Sequence, residues 1–215
     1  RLDEEIQKTE ARLSRASDLT KGLEDEQIRW RENVKLLSED LKVILGNVFL
    51  SGASVSYYGA FTGPFREKMV FNWLAKCIEL DIPCSEKYNL QRILGNPVEI
   101  RDWNSKGLPS DSVSVNNGIL VKYCRAYPMM IDPQMQANRW IKNLFAKDNL
   151  KVTKLKSDNL LKTIELCVRM SEPLLIEDVE ETLDPMLEPL LLKQYTVLNN
   201  RKMVKIGDAE PEIYD

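Results

Sequence analysis

The sequence predicts an α/β protein in which a long coiled-coil helix precedes a domain built on a parallel sheet with helices on both faces. Two observations support this prediction. The first 48 residues carry apolar side chains at heptad spacing and contain no proline, which is typical of a coiled-coil strand. From residue 119 onward, short apolar runs alternate with helical patterns, which is typical of a parallel sheet covered by helices.

The composition suits a chain with a real hydrophobic core, since 43% of its 215 residues are hydrophobic and 29% are charged. The net charge is −3 and no basic stripe occurs, so nucleic acid is not an expected partner. No apolar run approaches the roughly 20 residues of a membrane-spanning helix. The chain begins without methionine, in the middle of a helical pattern, so we expect it to be part of a longer protein.

The types of residue present exclude several kinds of chemistry. There is no histidine, which excludes Ser-His-Asp and Cys-His catalysis within this segment. The four cysteines form no CxxC pair and lie among apolar neighbours, so we predict free thiols rather than a zinc site. They are Cys77, Cys84, Cys124 and Cys167. We therefore predict neither a metal site nor catalytic residues.

The predicted coiled-coil seam has an aliphatic inner part and a weaker outer part. Its positions are Leu2, Ile6, Thr9, Leu13, Ala16, Thr20, Leu23, Gln27, Trp30, Val34, Leu37, Leu41, Ile44 and Val48. Three of these, Thr9, Thr20 and Gln27, are polar, and polar groups in a seam weaken the pairing and its register. We expect the outer part to slide against a partner helix while the part from Val34 to Val48 stays anchored.

Glycines and a proline divide the chain after this seam. Gly46 and Ser51-Gly52 mark the end of the regular pattern, and residues 48–61 are expected to form a buried helix. Thr62-Gly63-Pro64 is a strong break, which predicts one domain at 1–62 and a second at 63–215. The remaining predicted elements are helices at 64–80, near 85–90, 135–145 and 160–168, strands at 119–121, 129–131, 152–155 and 173–176, and a hairpin joining 202–206 to 212–214.

The turn after the strand at 129–131 stands where a P-loop NTPase carries its phosphate-binding loop. That loop needs two glycines, a lysine and a hydroxyl residue, because backbone N–H groups, an ammonium and Mg²⁺ together hold the phosphates. Here Asp132 replaces the first glycine, Ala137 the second, Asn138 the lysine and Arg139 the hydroxyl residue. Pro133, Gln134, Met135 and Gln136 fill the interval. An added carboxylate and two lost glycines oppose phosphate binding, although spacing alone also allows an unrelated strand-turn-helix.

A second strand end carries two acids. Four apolar residues at 173–176 precede Glu177 and Asp178, a pattern similar to a Walker B strand, in which one acid holds Mg²⁺ and another orients water. Buried strands without a metal site also often end in this way. We expect both carboxylates to hold the strand end or meet a neighbour rather than bind metal, and Gln134 and Gln136 to stabilise the turn. Trp103 and Trp140 are expected in the core or at an interface.

Several long stretches resemble the dynein heavy chain family. Residues 103–111, 117–119, 127–142 and 183–191 are similar to the fifth AAA+ module of these motors, whereas Trp30-Arg31 and residues 56–61 are similar to the returning stalk helix and the end of the fourth module. The resemblance covers nearly the whole chain and its motifs are rich in Trp, Pro and Gly. Met135 departs from it, since many relatives have glycine there.

The resemblance implies a mechanical role in an ATP-driven, minus-end-directed microtubule motor. In this family the fifth module is structural, and ATP and Mg²⁺ act in other modules of the parent chain. The implied partners are the neighbouring AAA+ modules, the other stalk helix and the linker of the same chain, and the microtubule at the stalk tip. The implied location is the cytoplasmic cytoskeleton, with details at 56–61 pointing to the axoneme of cilia and flagella.

Two other functions remain open from the sequence. An active P-loop ATPase with an atypical loop predicts that this module binds ATP or ADP. A coiled-coil adaptor with an accessory globular end predicts that residues 64–215 fold without neighbouring modules. Both explain fewer of the residues quoted above than the motor interpretation does.

Overall fold

The structure is a computed structural model that describes the backbone of residues 2–198, 201–207 and 212–213. Its contacts divide the chain into two compact units, one formed by residues 1–54 with 62–89 and the other by 55–61 with 90–215. The division differs from the boundary that the sequence predicts between residues 62 and 63, which stays a prediction.

The first 56 described residues form one uninterrupted helix, α1 (Leu2–Tyr57). No proline interrupts it, and the helix continues through Gly46 and Gly52, where its heptad pattern ends. The heptad side chains from Ile6 to Val48 are exposed, with Leu13 at 74% and Leu41 at 68%. Burial begins only at Gly46, on the face that carries Asn47, Leu50, Ser51 and Ser54.

The predicted helix at 48–61 is confirmed as far as Tyr57, and a 3-10 turn (Tyr58–Ala60) follows. Its predicted buried side chains are correct only in part. Tyr58 is 4% exposed, but Tyr57 is 60% and Phe61 is 41% exposed. The reason is that a helix buries only one face, and Tyr57 and Phe61 lie off the face that Tyr58 occupies.

Helix α2 (Gly63–Glu79) confirms the predicted helix at 64–80, with Pro64 in its first turn as that residue favours. Arg66 and Cys77 are buried, and Trp73 is half-buried on the same face. The short helix predicted to be capped by Ser85 is wrong, since residues 81–89 are irregular. The backbone N–H of Ser85 donates instead to Asn47 Oδ1, and the next helix begins at Leu90.

From Leu90 onward the second unit has three helices, α3 (Leu90–Leu94), α4 (Pro97–Ser105) and α5 (Ser112–Tyr123). Asn96 and Asp111 cap α4 and α5, because their side-chain oxygens accept from backbone N–H groups of the first turns. The strand predicted at 119–121 is therefore wrong, since these residues lie inside α5. A short apolar run does not distinguish a strand from a buried helix turn.

A parallel strand pair and two helices follow. Helix α6 (Gln136–Leu144) leads to β1 (Lys151–Lys154), and α7 (Leu160–Met170) leads to β2 (Leu174–Glu177). The two strands pair in parallel from Lys151↔Leu174 to Lys154↔Glu177. These elements and the predicted α/β class are confirmed. The strand predicted at 129–131 is wrong, since that segment pairs with no strand in the described chain and Ile131 is 94% exposed.

The last part of the unit forms an antiparallel sheet. A 3-10 turn (Pro185–Leu187) and α8 (Glu188–Leu191) precede β3 (Tyr195–Leu198), β4 (Arg201–Val204) and β5 (Glu212–Ile213). The predicted hairpin is confirmed in the pairing of β4 with β5. Asp208 in its predicted turn and Tyr214 lie outside the described residues. The sequence analysis did not predict β3, which pairs with β4.

The core beside the parallel pair combines one helix with the later sheet. Its buried members are Leu160 and Ile164 of α7, Leu187, Val204 of β4, and Ile206. Leu174 and Ile176 of β2 pack against this cluster. It therefore fixes the position of β2, whose carboxyl end carries Glu177 and Asp178. No helix in the described part of the chain is long and apolar enough to cross a membrane.

Candidate functional site

The turn from Asp132 to Asn138 places a helix N-terminus beside the end of strand β2. The backbone N–H of Met135 donates to the Asp132 carbonyl at 3.2 Å, and α6 begins one residue later. Met135 has φ 56°, a left-handed conformation that costs a non-glycine residue about 1–2 kcal/mol. Glycine would adopt this conformation without that cost. The strained backbone of Met135 is therefore maintained by the other contacts of the turn.

The carboxylate of Asp132 binds the exposed N–H groups at the start of α6. Its Oδ1 accepts from the backbone N–H of Gln136 at 2.9 Å and its Oδ2 from that of Asn138 at 2.8 Å. The first N–H groups of a helix lack partners inside the helix and carry the positive end of its dipole. In phosphate-binding loops such groups hold the phosphate. Here a carboxylate of the chain itself holds them, and a phosphate would have to displace it.

A second cluster joins α6 to the end of β2. Glu177 Oε1 accepts hydrogen bonds from Asn138 Nδ2 and, at 2.7 Å, from Lys142 Nζ. The hydrogen bonds from Lys142 and then Asn138 lower the pKa of the Glu177 carboxyl below its usual value. Glu177 is therefore ionised and paired. Its charge is balanced by a lysine, where a Walker B carboxylate would meet a magnesium ion.

The remaining predicted site residues form their own local contacts. Asp178 lies in a left-handed conformation, with φ 54°, and pairs with Lys154 at 2.8 Å on the exposed edge of β1. Gln136 Nε2 donates to Gln134 Oε1 at 3.0 Å, as expected of two residues that stabilise the turn. Pro133 and Arg139 are exposed, and Ala137 is half-buried.

Two tryptophans lie behind the turn. Trp140 is 2% exposed and Trp103 is 7% exposed, and their rings meet edge-to-face with centroids 6.0 Å apart. This confirms the predicted core role. Gly118 allows α5 to lie close against the Trp103 ring, because a Cβ at residue 118 would lie 3.0 Å from Trp103 Cε3. Helix α6 is thus fixed on a packed aromatic layer.

Sequence reasoning missed two residues that position this site, Lys142 and Asn143. Lys142 lies four residues after Asn138, so both face Glu177 from one side of α6. Asn143 Nδ2 donates to the Lys106 carbonyl at 2.8 Å and ties α6 to the end of α4. The i, i+4 spacing of Asn138 and Lys142 indicated in the sequence that the two side chains lie on one side of α6, where both contact Glu177. The contact to Lys106 depends on tertiary packing and left no signal.

Metal-binding side chains are not gathered at this site. Within the described ranges, no group of three or more His, Cys, Asp or Glu residues could hold a metal ion. All four cysteines are free, with Cys77 and Cys167 buried. Burial raises the pKa of the Cys167 thiol, as an apolar environment does for a group that ionises to an anion.

The fold and the site define a class of protein. A long heptad helix precedes an α/β domain with a small parallel sheet and helices, as expected of a stalk joined to a AAA+ module. A family model described as the microtubule-binding stalk of dynein motor matches residues 1–76, and one described as the ATP-binding dynein motor region matches residues 101–215. The chain belongs to the dynein heavy chain family.

Curated relatives agree with this assignment. Human dynein axonemal heavy chain 6 is 48% identical over 202 residues, which cover 94% of this chain and 5% of the relative. Mouse dynein axonemal heavy chain 2 is 39% identical over 204 residues, with the same coverage. The Chlamydomonas reinhardtii dynein-1-beta heavy chain of the flagellar inner arm I1 complex is 39% identical over 203 residues, 94% of this chain and 4% of its own. The chain thus spans about a twentieth of these relatives.

Proposed function

We propose that this chain is a mechanical segment of a dynein heavy chain, the ATP-driven motor that moves toward microtubule minus ends. Helix α1 is one strand of the stalk, and residues 63–215 are the large subdomain of the fifth AAA+ module. The segment transmits conformational change between the AAA+ ring and the stalk. ATP and Mg²⁺ act in other modules of the same parent chain, whereas this module holds no nucleotide.

The partners follow from the same proposal. They are the neighbouring AAA+ modules, the linker and the facing stalk helix of the same heavy chain, with the microtubule bound at the stalk tip. The names of the relatives place those proteins in axonemes and in a flagellar inner arm. We accordingly place this protein in the cytoskeleton of the cilium or flagellum.

One observation supports the loss of nucleotide binding above all others. The Asp132 carboxylate accepts from the N–H groups of Gln136 and Asn138, which are the donors that a phosphate needs. A bound triphosphate would have to break both hydrogen bonds and face the negative charge of Asp132. Asn138, at the place of the phosphate-binding lysine, offers no positive charge and donates to Glu177 instead.

The rival interpretation is an active P-loop ATPase module with an atypical loop. It requires Asp132 to swing away from the start of α6 and Lys142 to leave Glu177 when Mg-ATP binds. The two interpretations differ in one measurable respect, which is whether ATP contacts the turn.

Photoaffinity labelling of the intact heavy chain tests this difference. The probe is an ATP analogue with its photoreactive group on the terminal phosphate, and the labelled chain is digested with trypsin. The peptide from Ala126 to Arg139 contains the whole turn and is released by cleavage after Arg125 and Arg139. We expect no label on this peptide under conditions that label a P-loop peptide of another module. Label on this peptide that excess unmodified ATP removes contradicts the proposal.

A further inference from the structure

The segment 83–88, here called the clasp, crosses one face of α1 near residues 46–54. All of these residues belong to the same compact unit. The clasp follows α2 directly, and the backbone N–H of Ile82 donates to the Cys77 carbonyl at 2.9 Å, which fixes its starting point. The clasp therefore joins the end of α2 to the base of the long helix.

A steric contact determines which residue of α1 lies under the clasp. The backbone N–H of Gly46 donates to the Pro83 carbonyl at 3.2 Å. A Cβ at Gly46 would lie 2.3 Å from that oxygen and 2.7 Å from Cys84 Cβ, distances that side-chain atoms do not reach without displacement. Only glycine fits at this place.

Polar contacts fix the same position a second time. Asn47 Oδ1 accepts from the Ser85 backbone N–H at 3.0 Å, and Asn47 Nδ2 donates to Ser85 Oγ at 2.8 Å. The Tyr88 hydroxyl lies 3.1 Å from Ser51 Oγ and 3.2 Å from Ser54 Oγ. Asn47, Ser51 and Ser54 are at most 4% exposed. Buried polar groups that lose such partners are costly, so these contacts select one arrangement.

Movement of α1 along its axis breaks both sets of contacts. A shift of one residue is about 1.5 Å with a rotation of about 100°, and it brings Leu45 or Asn47 to the place where only glycine fits. A shift of one turn brings Lys42 or Leu50 there. The pair Gly-Asn occurs once in α1, at residues 46 and 47, whereas Gly22 and Gly52 are followed by leucine and alanine. No other register satisfies both contacts.

We propose that the clasp holds the base of α1 in a single axial register. Gly46 fixes that register through its steric fit under Pro83, and Asn47 fixes it through its hydrogen bonds to Ser85. This inference rests on the proposed function as a stalk strand and deepens it. A change of register along the heptad seam is then confined to the helix outside residue 46 and to the facing helix. The clasp gives the ring a fixed point against which the stalk signal is transmitted.

The test uses the intact motor with two variants that loosen the clasp in different ways. Gly46→Ala adds one methyl group under Pro83, and Asn47→Ala removes two hydrogen bonds without adding an atom. Each has a matched control on the same helix. Gly52→Ala makes the same change where a Cβ meets nothing within 4 Å, and Asn33→Ala removes an exposed asparagine. If the Gly46→Ala variant does not fold, the Asn47→Ala variant still tests the proposal by itself.

Two readouts are needed. Hydrogen–deuterium exchange of residues 83–88 measures the clasp itself. We expect the exchange to be about tenfold faster in both clasp variants and unchanged in the two controls. Microtubule affinity with and without ATP measures transmission, and we expect the clasp variants to lose the ATP-dependent change.

If exchange of residues 83–88 is unchanged in both clasp variants, the proposal that Gly46 and Asn47 hold this segment on α1 is overturned. Faster exchange with a full ATP response overturns its role in holding register, as does an equal effect of the control substitutions. If the unmodified motor shows no ATP-dependent change in microtubule affinity, the proposed function fails, while the exchange data still report on the clasp.

Discussion

Asp132 is the residue on which the chemistry of the turn depends most. Its carboxylate satisfies two N–H groups at the start of α6, as an N-cap side chain does, with a negative charge that the helix dipole favours. Under the proposed function the same carboxylate keeps phosphate out, and its two hydrogen bonds stabilise the helix. Its loss should therefore cost stability as well as open the site.

We expect Asp132→Ala to lower the free energy of unfolding by about 1–2 kcal/mol, because both N–H acceptors and the charge are lost. Chemical denaturation monitored by tryptophan fluorescence measures this, since Trp140 lies in the same helix. Asp158→Ala removes an exposed carboxylate and serves as the control, with little expected effect. Equal stability of the two variants would show that Asp132 is not holding the helix.

The stability that Glu177 contributes should depend on pH. Its folded pKa is lowered by Lys142 and Asn138, so the unfolded state binds a proton more readily than the folded state. The stability it contributes is fully present above the unfolded value of 4.5 and is lost as pH falls through the lower folded value. In acid titrations of unfolding, Glu177→Gln should remove that part of the pH dependence. A titration identical to that of the unmodified chain contradicts the pairing.

At the scale of elements, α5 and α4 approach closely because residue 118 is glycine. A Cβ at that position would lie 3.0 Å from Trp103 and 3.1 Å from Leu108. We expect Gly118→Ala to destabilise the chain by about 1–3 kcal/mol through overpacking. Gly22→Ala, in open space on α1, should instead stabilise it by up to about 1 kcal/mol. Thermal unfolding of the two variants compares them, and a stabilising Gly118→Ala contradicts the packing.

The sequence predicted the elements whose periodicity is long and failed where apolar runs are short. The helices α1, α2, α6 and α7 and the strands β1 and β2 were predicted from pattern. Residues 119–121 were predicted as a strand because three apolar residues fit either period, and the Asp111 cap that starts α5 was not recognised. The strand predicted at 129–131 failed because a strand depends on a hydrogen-bonded neighbour, which a local pattern does not contain.

The sequence identified Asp132, Asn138 and Glu177 but missed Lys142 and Asn143, and it did not predict the contacts that join them. The spacing from Asp132 to Arg139 identified the turn, and Glu177 followed from its place after an apolar strand. That Asp132 folds back onto the N–H groups of Gln136 and Asn138 depends on the left-handed conformation of Met135. That Asn138 and Lys142 reach Glu177 depends on the approach of α6 to β2. The first relation is local but depends on a backbone conformation that the residue types do not dictate, whereas the second joins residues 35 and 39 positions apart.

At the scale of the whole molecule, the heptad seam that the sequence predicts on α1 is expected to be weak at its outer end. The hydroxyls of Thr9 and Thr20 donate to carbonyls of their own helix, those of Glu5 and Ala16. These two hydroxyls thus have acceptors within their own helix, and we expect this to lower the cost of changing register. The inner positions from Val34 onward are aliphatic and favour one pairing.

We expect the double substitution Thr20→Leu with Gln27→Leu to hold the stalk in one register, because leucine at both positions strengthens the seam. In the intact motor, the microtubule affinity should then respond less to ATP than in the unmodified motor. Substitution of Ser17 and Glu24 by alanine, off the seam on the same stretch of helix, is the control. A full ATP response in the leucine variant contradicts the sliding hypothesis.

We propose that a side chain of the protein holds the place of a phosphate at the start of α6. A structure of the intact heavy-chain motor at saturating Mg-ATP tests it most directly. We predict nucleotide in other modules and the Asp132 carboxylate still bound to the N–H groups of Gln136 and Asn138. A nucleotide phosphate bound at those two N–H groups, with Asp132 turned away, would contradict the account.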